Sequence, residues 1–283
     1  MSGGILWLAS YPKSGNTWLR AFLAHYLRDA REAIAIDTLS DFAPSDTYWG
    51  LYERFSGRPR AEIGMEERIR MRPKLHEWLA AHLGETVAVK THNCIGKEGE
   101  TNLITPHATA GAIYVVRNPL DVAVSYAHHF DIEQDEAIRQ LNNRIQVIGV
   151  DNEEYAPSCL GDWAGHVRSW MTAPGLRLHV LRYEDMHARP DETFASVVRF
   201  LEMPVEPERM KRAIELSDFK ALRQQEQAGG FQEAPEGRVF FRTGKVGGWR
   251  EVLSDAQAEA IVSHNGEIMR RLGYLDASGN VTV

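Results

Sequence analysis

Residues 5–23 read Ile5-Leu6-Trp7-Leu8-Ala9-Ser10-Tyr11-Pro12-Lys13-Ser14-Gly15-Asn16-Thr17-Trp18-Leu19-Arg20-Ala21-Phe22-Leu23. The apolar run Ile5–Ala9 predicts a short strand buried on both faces. From Thr17 to Arg28 the apolar residues Leu19, Phe22, Leu23, Tyr26 and Leu27 recur at helical spacing. Between strand and helix the chain must turn tightly, and Gly15 supplies the backbone freedom. The amides of Ser14 to Thr17 then point outward at a helix N-terminus, where unpaired N–H groups and the helix dipole attract an anion. Lys13 adds a full positive charge, and Ser14 and Thr17 add hydroxyl donors. This is the logic of a phosphate-binding loop. The nucleotide-kinase spelling G-x-x-x-x-G-K-[ST] is absent, because the lysine comes before the glycine.

Three more apolar runs predict buried strands: Thr86–Val89, Ala112–Val116 and Leu178–Leu181. Helical patterns lie between and after them at Pro119–Phe130, Glu192–Leu201, Glu208–Ser217 and Asp255–Leu272. The first of these has Asn118 placed to cap it, Pro119 at its first position and Asp121 in its first turn. Strands alternating with helices predict an α/β protein with a P-loop-like fold, a central and mainly parallel sheet flanked by helices. In such a sheet the segments after the strands share the carboxyl edge, where ligands bind. Those segments are Ser10–Thr17, Lys90-Thr91-His92, Arg117-Asn118 and Arg182-Tyr183-Glu184-Asp185, so polar and titratable groups should converge there.

The 283 residues suit one large domain over 1–275 with a tail at 276–283. Long stretches at 31–85, 131–165 and 224–241 read as insertions; the tail and the region around Gln224–Gly237 look disordered by composition. A net charge of −7 gives no global attraction for nucleic acid, so an anion must be bound by a local cluster. Cys94 and Cys159 form neither a disulfide framework nor a zinc spacing, which fits a reducing cytoplasm. The run Ile5–Ala9 is too short for a signal sequence or a membrane span, and no membrane association is expected. Phe42, Tyr48, Trp49, Tyr52, Phe55 and Trp78 crowd the first insertion. They suit the walls of an apolar pocket or the packing of the domain, and the sequence leaves both open.

Tyr-Pro-Lys-Ser-Gly-Asn-Thr-Trp at 11–18 resembles the 5′-phosphosulfate loop of sulfotransferases that use 3′-phosphoadenosine 5′-phosphosulfate (PAPS). The resemblance continues in order along the chain. Lys90-Thr91-His92 is similar to the family's Lys-Thr-His. Arg117-Asn118-Pro119 with Ser125 is similar to its 3′-phosphate motif, and Tyr183-Glu184-Asp185 to its Tyr-Glu-Asp. Ser217-Asp218-Phe219 stands at an adenine contact. Phe241-Arg242-Thr243-Gly244 with Gly247-Gly248-Trp249 is similar to the loop that closes over the 3′-phosphate. The likeness runs from Trp7 to Trp249.

It implies sulfuryl transfer from PAPS to a small-molecule hydroxyl, a phenol or an alcohol, with no metal. Lys13, Ser14, Gly15, Asn16, Thr17, Trp18, Arg117, Ser125, Tyr183, Ser217, Phe219, Arg242, Thr243 and Gly244 are the implied nucleotide contacts. The implied catalytic set is Lys13, Lys90, His92 and Ser125: His92 as base, Lys13 against the leaving charge, Lys90 on the sulfuryl oxygens. His128 and His129 are rivals to His92, either lining an acceptor site or sitting at an exposed helix end.

Departures from the family pattern bear on these roles. Asn16 stands where many members have threonine. Thr243 replaces a lysine and Gly248 an aspartate, which leaves the 3′-phosphate grip one positive charge lighter. The family's C-terminal dimer motif is not found, so its dimer is not implied. A magnesium-dependent kinase would need an Asp or Glu ending the other early strands as a second magnesium ligand, and none ends them. A nucleotide-binding scaffold without activity would more naturally lack one of Lys13, His92 and Arg117, which are all present.

Overall fold

A computed structural model describes residues 3–82, 86–149, 152, 154–234 and 237–283. Four strands form one wholly parallel sheet: β1 (Gly4–Ser10), β2 (Thr86–Thr91), β3 (Thr109–Val116) and β4 (Leu178–Arg182), in the order β2-β1-β3-β4. Leu8 pairs with Lys90 on one side of β1, and Ser10 with Val115 on the other. The chain leaves β1 to build β2 and then crosses back to place β3 on the opposite side. The loops after β1 and β3 therefore diverge, and a crevice opens between them.

Why β1 had to be apolar throughout is plain from its two faces. Ile5, Trp7 and Ala9 join one core with Ala112, Tyr114 and Val116 of β3, while Leu6 and Leu8 join the other with Ile113 and Val115. The first core is closed by α2 (Met65–His82), α3 (Pro119–Phe130), α4 (Trp163–Met171) and α8 (Asp255–Arg271). The second is closed by α1 (Asn16–Leu27), α5 (Pro190–Phe200) and α6 (Pro207–Leu216). Trp7 is fully buried and its indole N–H is still satisfied, donating to Thr109 Oγ1 at 2.9 Å. Helix α3 starts as its sequence signals say, with the Asn118 side chain accepting from the Leu120 amide.

Three regions differ from their sequence reading. Within the stretch 31–85, α2 is an 18-residue helix that continues through Pro73. Its core side carries Arg68, Arg72 and His76, all fully buried, beside Leu75 and Leu79. Gln224–Gly229, part of the disordered-looking stretch, completes helix α7 (Phe219–Gly229), capped by Asp218. The tail at 276–283 is folded back. Leu275 bridges Val281, and the Val283 carbonyl accepts from Asn118 Nδ2 and Trp249 Nε1. Among the described residues no helix is long and apolar enough to cross a membrane.

Candidate active site

The turn after β1 is held in a specific shape. Gly15 has φ of 103°, and a Cβ there would come within 2.6 Å of the Tyr183 ring. Lys13 itself lies in the left-handed region at φ 66°. A non-glycine residue there costs about 1–3 kcal/mol, and such strain collects at functional turns. Asn16 donates its amide to Leu8 O at 2.8 Å and to Ser10 Oγ, so it stitches the turn onto β1.

Arg117 follows β3 and closes the other side of the crevice. Its guanidinium donates to Lys13 O at 3.2 Å and Lys245 O at 3.1 Å, and lies 4.3 Å from the centre of the Tyr183 ring. Tyr183 donates in turn to Gly244 O. Two motif acids do structural work here. Asp121 accepts from the Gly247 and Trp249 amides, and Glu184 accepts from the Asn118 amide and the Tyr274 hydroxyl.

The end of β2 is fixed from below. Asp46 Oδ2 accepts from Thr91 Oγ1 at 3.0 Å and Asn93 Nδ2 at 2.8 Å. His166 on α4 donates to His92 O while its other nitrogen accepts a hydrogen bond from the Tyr114 hydroxyl. His92 Nδ1 lies 2.8 Å from Ser10 O. A carbonyl can only accept, so Nδ1 carries the proton and Nε2 keeps its lone pair.

These pieces wall one cavity of about 350 Å³. Lys13, Gly15, Asn16, Thr17, Trp18, Lys90, His92, Arg117, Ser125, Tyr183, Phe219, Arg242, Thr243 and Gly244 all line it. Two of the residues singled out from sequence are not on its wall. Ser14 is fully buried, and Ser217 turns its hydroxyl back to Ala213 O at 2.6 Å, as helix serines do. His128 and His129 both line the cavity. His129 Nδ1 accepts from Lys13 Nζ at 3.2 Å, and the same ammonium lies 3.7 Å from the centre of the Phe240 ring.

The site is short of negative charge. Burial pushes Lys13 down to about 7; Glu233 opposes this, and Arg117 and Lys90 reinforce it. Burial and then the Lys90 charge push His92 to about 3. His129 falls to about 3 through burial, Lys13 and Lys90. Both imidazoles are neutral at physiological pH. The carboxylate among these cations is Glu233, which the sequence reading missed. Burial raises its pKa, but Arg20 and Lys90 outweigh that and hold it well below the usual carboxylate range. No local spacing announces a contact made 213 residues away from Arg20. The one available signal is Arg20 itself, a charge inside the apolar run Leu19–Ala24.

A sulfotransferase-domain family profile matches residues 5–273. The chain belongs to the sulfotransferase family and is a transferase of that class. It is 30% identical over 259 residues to the 3-alpha-hydroxysteroid sulfotransferase of Cavia porcellus, covering 89% of this chain and 78% of that protein. It is 26% identical over 280 residues to the flavonol 3-sulfotransferase of Flaveria bidentis, covering 90% and 78%. Among solved structures it resembles a retinol dehydratase in complex with androsterone and the inactive cofactor PAP, with TM-score 0.64, 20% identity, and coverage of 94% and 80%. A mouse sulfotransferase complexed with PAP gives TM-score 0.62 at 18% identity, covering 98% and 87%. At these identities the structural likeness bears on the fold, which is the P-loop-like sulfotransferase fold.

Proposed function

We propose that this protein moves the sulfuryl group of PAPS to a hydroxyl of a small-molecule phenol or alcohol, in line, with His92 as the base. One observation carries the reading: Lys13, His92 and Arg117, from three different strand ends, line one cavity, and His92 is held with its basic nitrogen unprotonated. PAPS supplies the sulfuryl group and a leaving oxygen on which negative charge grows.

The residues fit such a nucleotide. Arg117 Nε and Trp18 Nε1, both of cavity-lining residues, are buried polar atoms without a hydrogen-bond partner in the protein. The missing Cβ of Gly15 leaves the turn open beside Tyr183. Arg117, Ser125 and Arg242 hold the 3′-phosphate, with Lys245 on the same wall adding charge near Thr243. Trp18, Tyr183 and Phe219 face the adenine. Lys13 and the α1 amides hold the 5′ end, and Lys13 offsets the leaving charge. Lys90 steadies the group in transit. His92 Nε2 takes the acceptor's proton as its oxygen attacks.

The depressed pKa values of Lys13 and His92 suit this cycle. A bound polyanion adds negative charge beside Lys13 and His92 and raises both. Lys13 is then an ammonium when the leaving group needs one, and His92 becomes a stronger base. The acceptor sits where Val124, Phe130, Ile148, Val239 and Phe240 make the wall apolar. The two free thiols are in keeping with a cytoplasmic setting.

The test is thermal and chemical. 3′-Phosphoadenosine 5′-phosphate (PAP) should stabilise the protein by about 2.7 kcal/mol at a hundredfold excess over its Kd. Labelled PAPS should transfer its label to members of a phenol and alcohol panel. Equal stabilisation by ATP with magnesium, and no transfer to any acceptor, would overturn the reading.

A further inference from the structure

Arg20 sits in the middle of α1, fully buried, on a helix that is otherwise apolar around it. Its guanidinium grips both oxygens of Glu233, at 2.7 and 2.8 Å, and reaches Thr17 Oγ1 at 3.3 Å. Glu233 Oε2 also accepts from Lys90 Nζ at 3.2 Å. Glu233 itself lines the cavity, and the described residues 237–244 that follow on the same strap contribute Val239, Phe240 and Arg242 to its wall.

The strap is tied elsewhere to Glu226, Asp37, His128 and Asp131. The Phe240 and Phe241 amides donate to Glu226, the Gln232 amide to Asp37, and Arg238 Nη1 to His128 O. Among the described residues of the strap, Glu233 brings a carboxylate into the cation cluster, and Phe240 lays its ring against Lys13 Nζ. A site built only to attract an anion would not place a carboxylate there, since like charges repel. One guanidinium nitrogen, Arg20 Nη2, donates to both carboxylate oxygens, and breaking this buried contact leaves an uncompensated charge.

We propose that Glu233 is a positioning residue for sulfuryl transfer: bridged to Arg20, it locks the strap over the cavity and holds Lys90 Nζ in place, as an ammonium, beside His92. The proposal rests on the reading of the preceding section. The groups facing Lys90 show why Glu233 matters. Arg20 on α1 is positive, and Lys13 on the turn after β1, held at about 7, is partly so. His92 on its own strand end and His129 on α3 are neutral. Asp46 is the other carboxylate, and it is already shared between Thr91 and Asn93. Burial lowers the Lys90 pKa, Glu233 is the foremost opposing influence, and Arg20 lowers it further. Without Glu233, Lys90 loses its proton at a lower pH, and any step that needs the ammonium fails as pH rises.

The experiment compares wild type, Glu233→Gln and Glu233→Asp with three readouts. The first is the pH dependence of Lys90 acetylation by acetic anhydride, followed by mass spectrometry without substrate. The second is kcat and KM with PAPS and a phenol across about pH 6 to 9. The third is PAP affinity by calorimetry. In Glu233→Gln the Lys90 titration should move down by about one unit or more. Its kcat should fall about tenfold or more at the alkaline end, with recovery toward pH 6. PAP should bind as well as before or more tightly, and Glu233→Asp should restore part of the loss. If Glu233→Gln does not fold, Glu233→Asp must show the same acid shift at smaller size.

An unchanged or faster kcat with tighter PAP would make Glu233 a competing anion and overturn the proposal. A loss equal at every pH, with Lys90 titrating as in wild type, would reduce it to packing and overturn it too. Absence of transfer by wild type would defeat the functional reading alone, since the Lys90 titration decides the hold of Glu233 without turnover.

Discussion

The two walls of the cavity are built by different means. The nucleotide wall consists of short contiguous segments at strand ends: the turn 11–18, Arg117-Asn118-Pro119 and Tyr183-Glu184-Asp185. Each is positioned by the sheet, and their mutual contacts are mostly to backbone, such as Arg117 to Lys13 O and Lys245 O. The described residues of the strap wall, 231–234 and 237–244, have no place in the sheet. It is held by side chains reaching far along the sequence, Glu233 to Arg20 and Lys90, and Arg238 to the His128 carbonyl. A backbone-built wall tolerates substitution of a single side chain as a loss of affinity or rate at that point. A wall held by a few charges depends on their protonation, so it should respond to pH as the first does not.

The sharpest test of the division of labour lies at the junction of the walls. His92→Ala should lower kcat by about 10²–10⁴-fold, the usual worth of a general base, while PAP affinity stays near wild type. The loss should shrink across phenols of falling pKa, which arrive partly ionised. Rate series on wild type and variant with graded phenols check this. A constant factor across the series would move the base role to His128 or His129. Lys13→Ala should lower kcat by about 10²–10³-fold with acidic and ordinary phenols alike, because it meets the leaving group and not the acceptor. A loss that tracked acceptor pKa would erase the distinction between the two residues.

The same division decides what could be read from sequence. The strands were legible because burial on both faces demands unbroken apolar runs, and β1 shows both cores filled by alternate residues. Helix α3 was legible to its ends because Asn118, Pro119 and Asp121 spell a start. The convergence of Lys13, His92, Arg117 and Tyr183 on one cavity was legible because each follows a strand of the sheet. Helix α2 was not found, because its buried side is arginine and histidine paired with Glu98 and Thr105, which breaks the apolar period. Helix α7 was hidden by its polar composition, and its buried Glu226 exists to hold the Phe240 and Phe241 amides. Ser217 looked like a ligand by position, yet its hydroxyl is spent within its own helix. Glu233 could not be found at all, since its meaning depends on partners far away in sequence.

Two predictions concern binding. Arg117→Ala removes a charge-assisted contact worth about 1.5–3 kcal/mol, so PAP affinity should fall about 10- to 150-fold. Calorimetry checks this, and an unchanged Kd would sever Arg117 from the 3′-phosphate. The second follows from Lys13, which burial holds at about 7 in the free protein. A bound anion raises that value, so the complex binds a proton that the free protein lacks once pH exceeds about 7. PAP binding should therefore take up protons at about pH 8, and affinity should fall by up to about tenfold per pH unit until the raised pKa is passed. Heats measured in buffers of different ionisation enthalpy count the protons. Lys13→Arg, which keeps its charge at all accessible pH, should lose most of the uptake. Uptake that persisted unchanged in Lys13→Arg would assign the proton to Lys90 or His92, and so to the strap side.

The smallest expected effect concerns the closing loop, where the two walls meet. Thr243 lines the cavity and is exposed, and Gly244 after it, at φ 59°, lies where a Cβ would strike the Phe219 ring at 2.6 Å. The loop is thus fixed by Gly244, and position 243 is free to change its side chain. Thr243→Lys adds a positive charge beside Arg242, close to the phosphate end held by Arg117. Because the position is open to solvent, screening limits the gain to about 0.3–1 kcal/mol, roughly a two- to fivefold tighter PAP. The gain should disappear as salt is raised, whereas the Arg117 contribution, made by a buried guanidinium, should largely persist. If Thr243→Lys tightened PAP by the full factor that Arg117→Ala loses, the loop would be closing more fully over the nucleotide than the present geometry shows. A gain confined to low salt would leave the backbone-built wall as the principal grip on the phosphate.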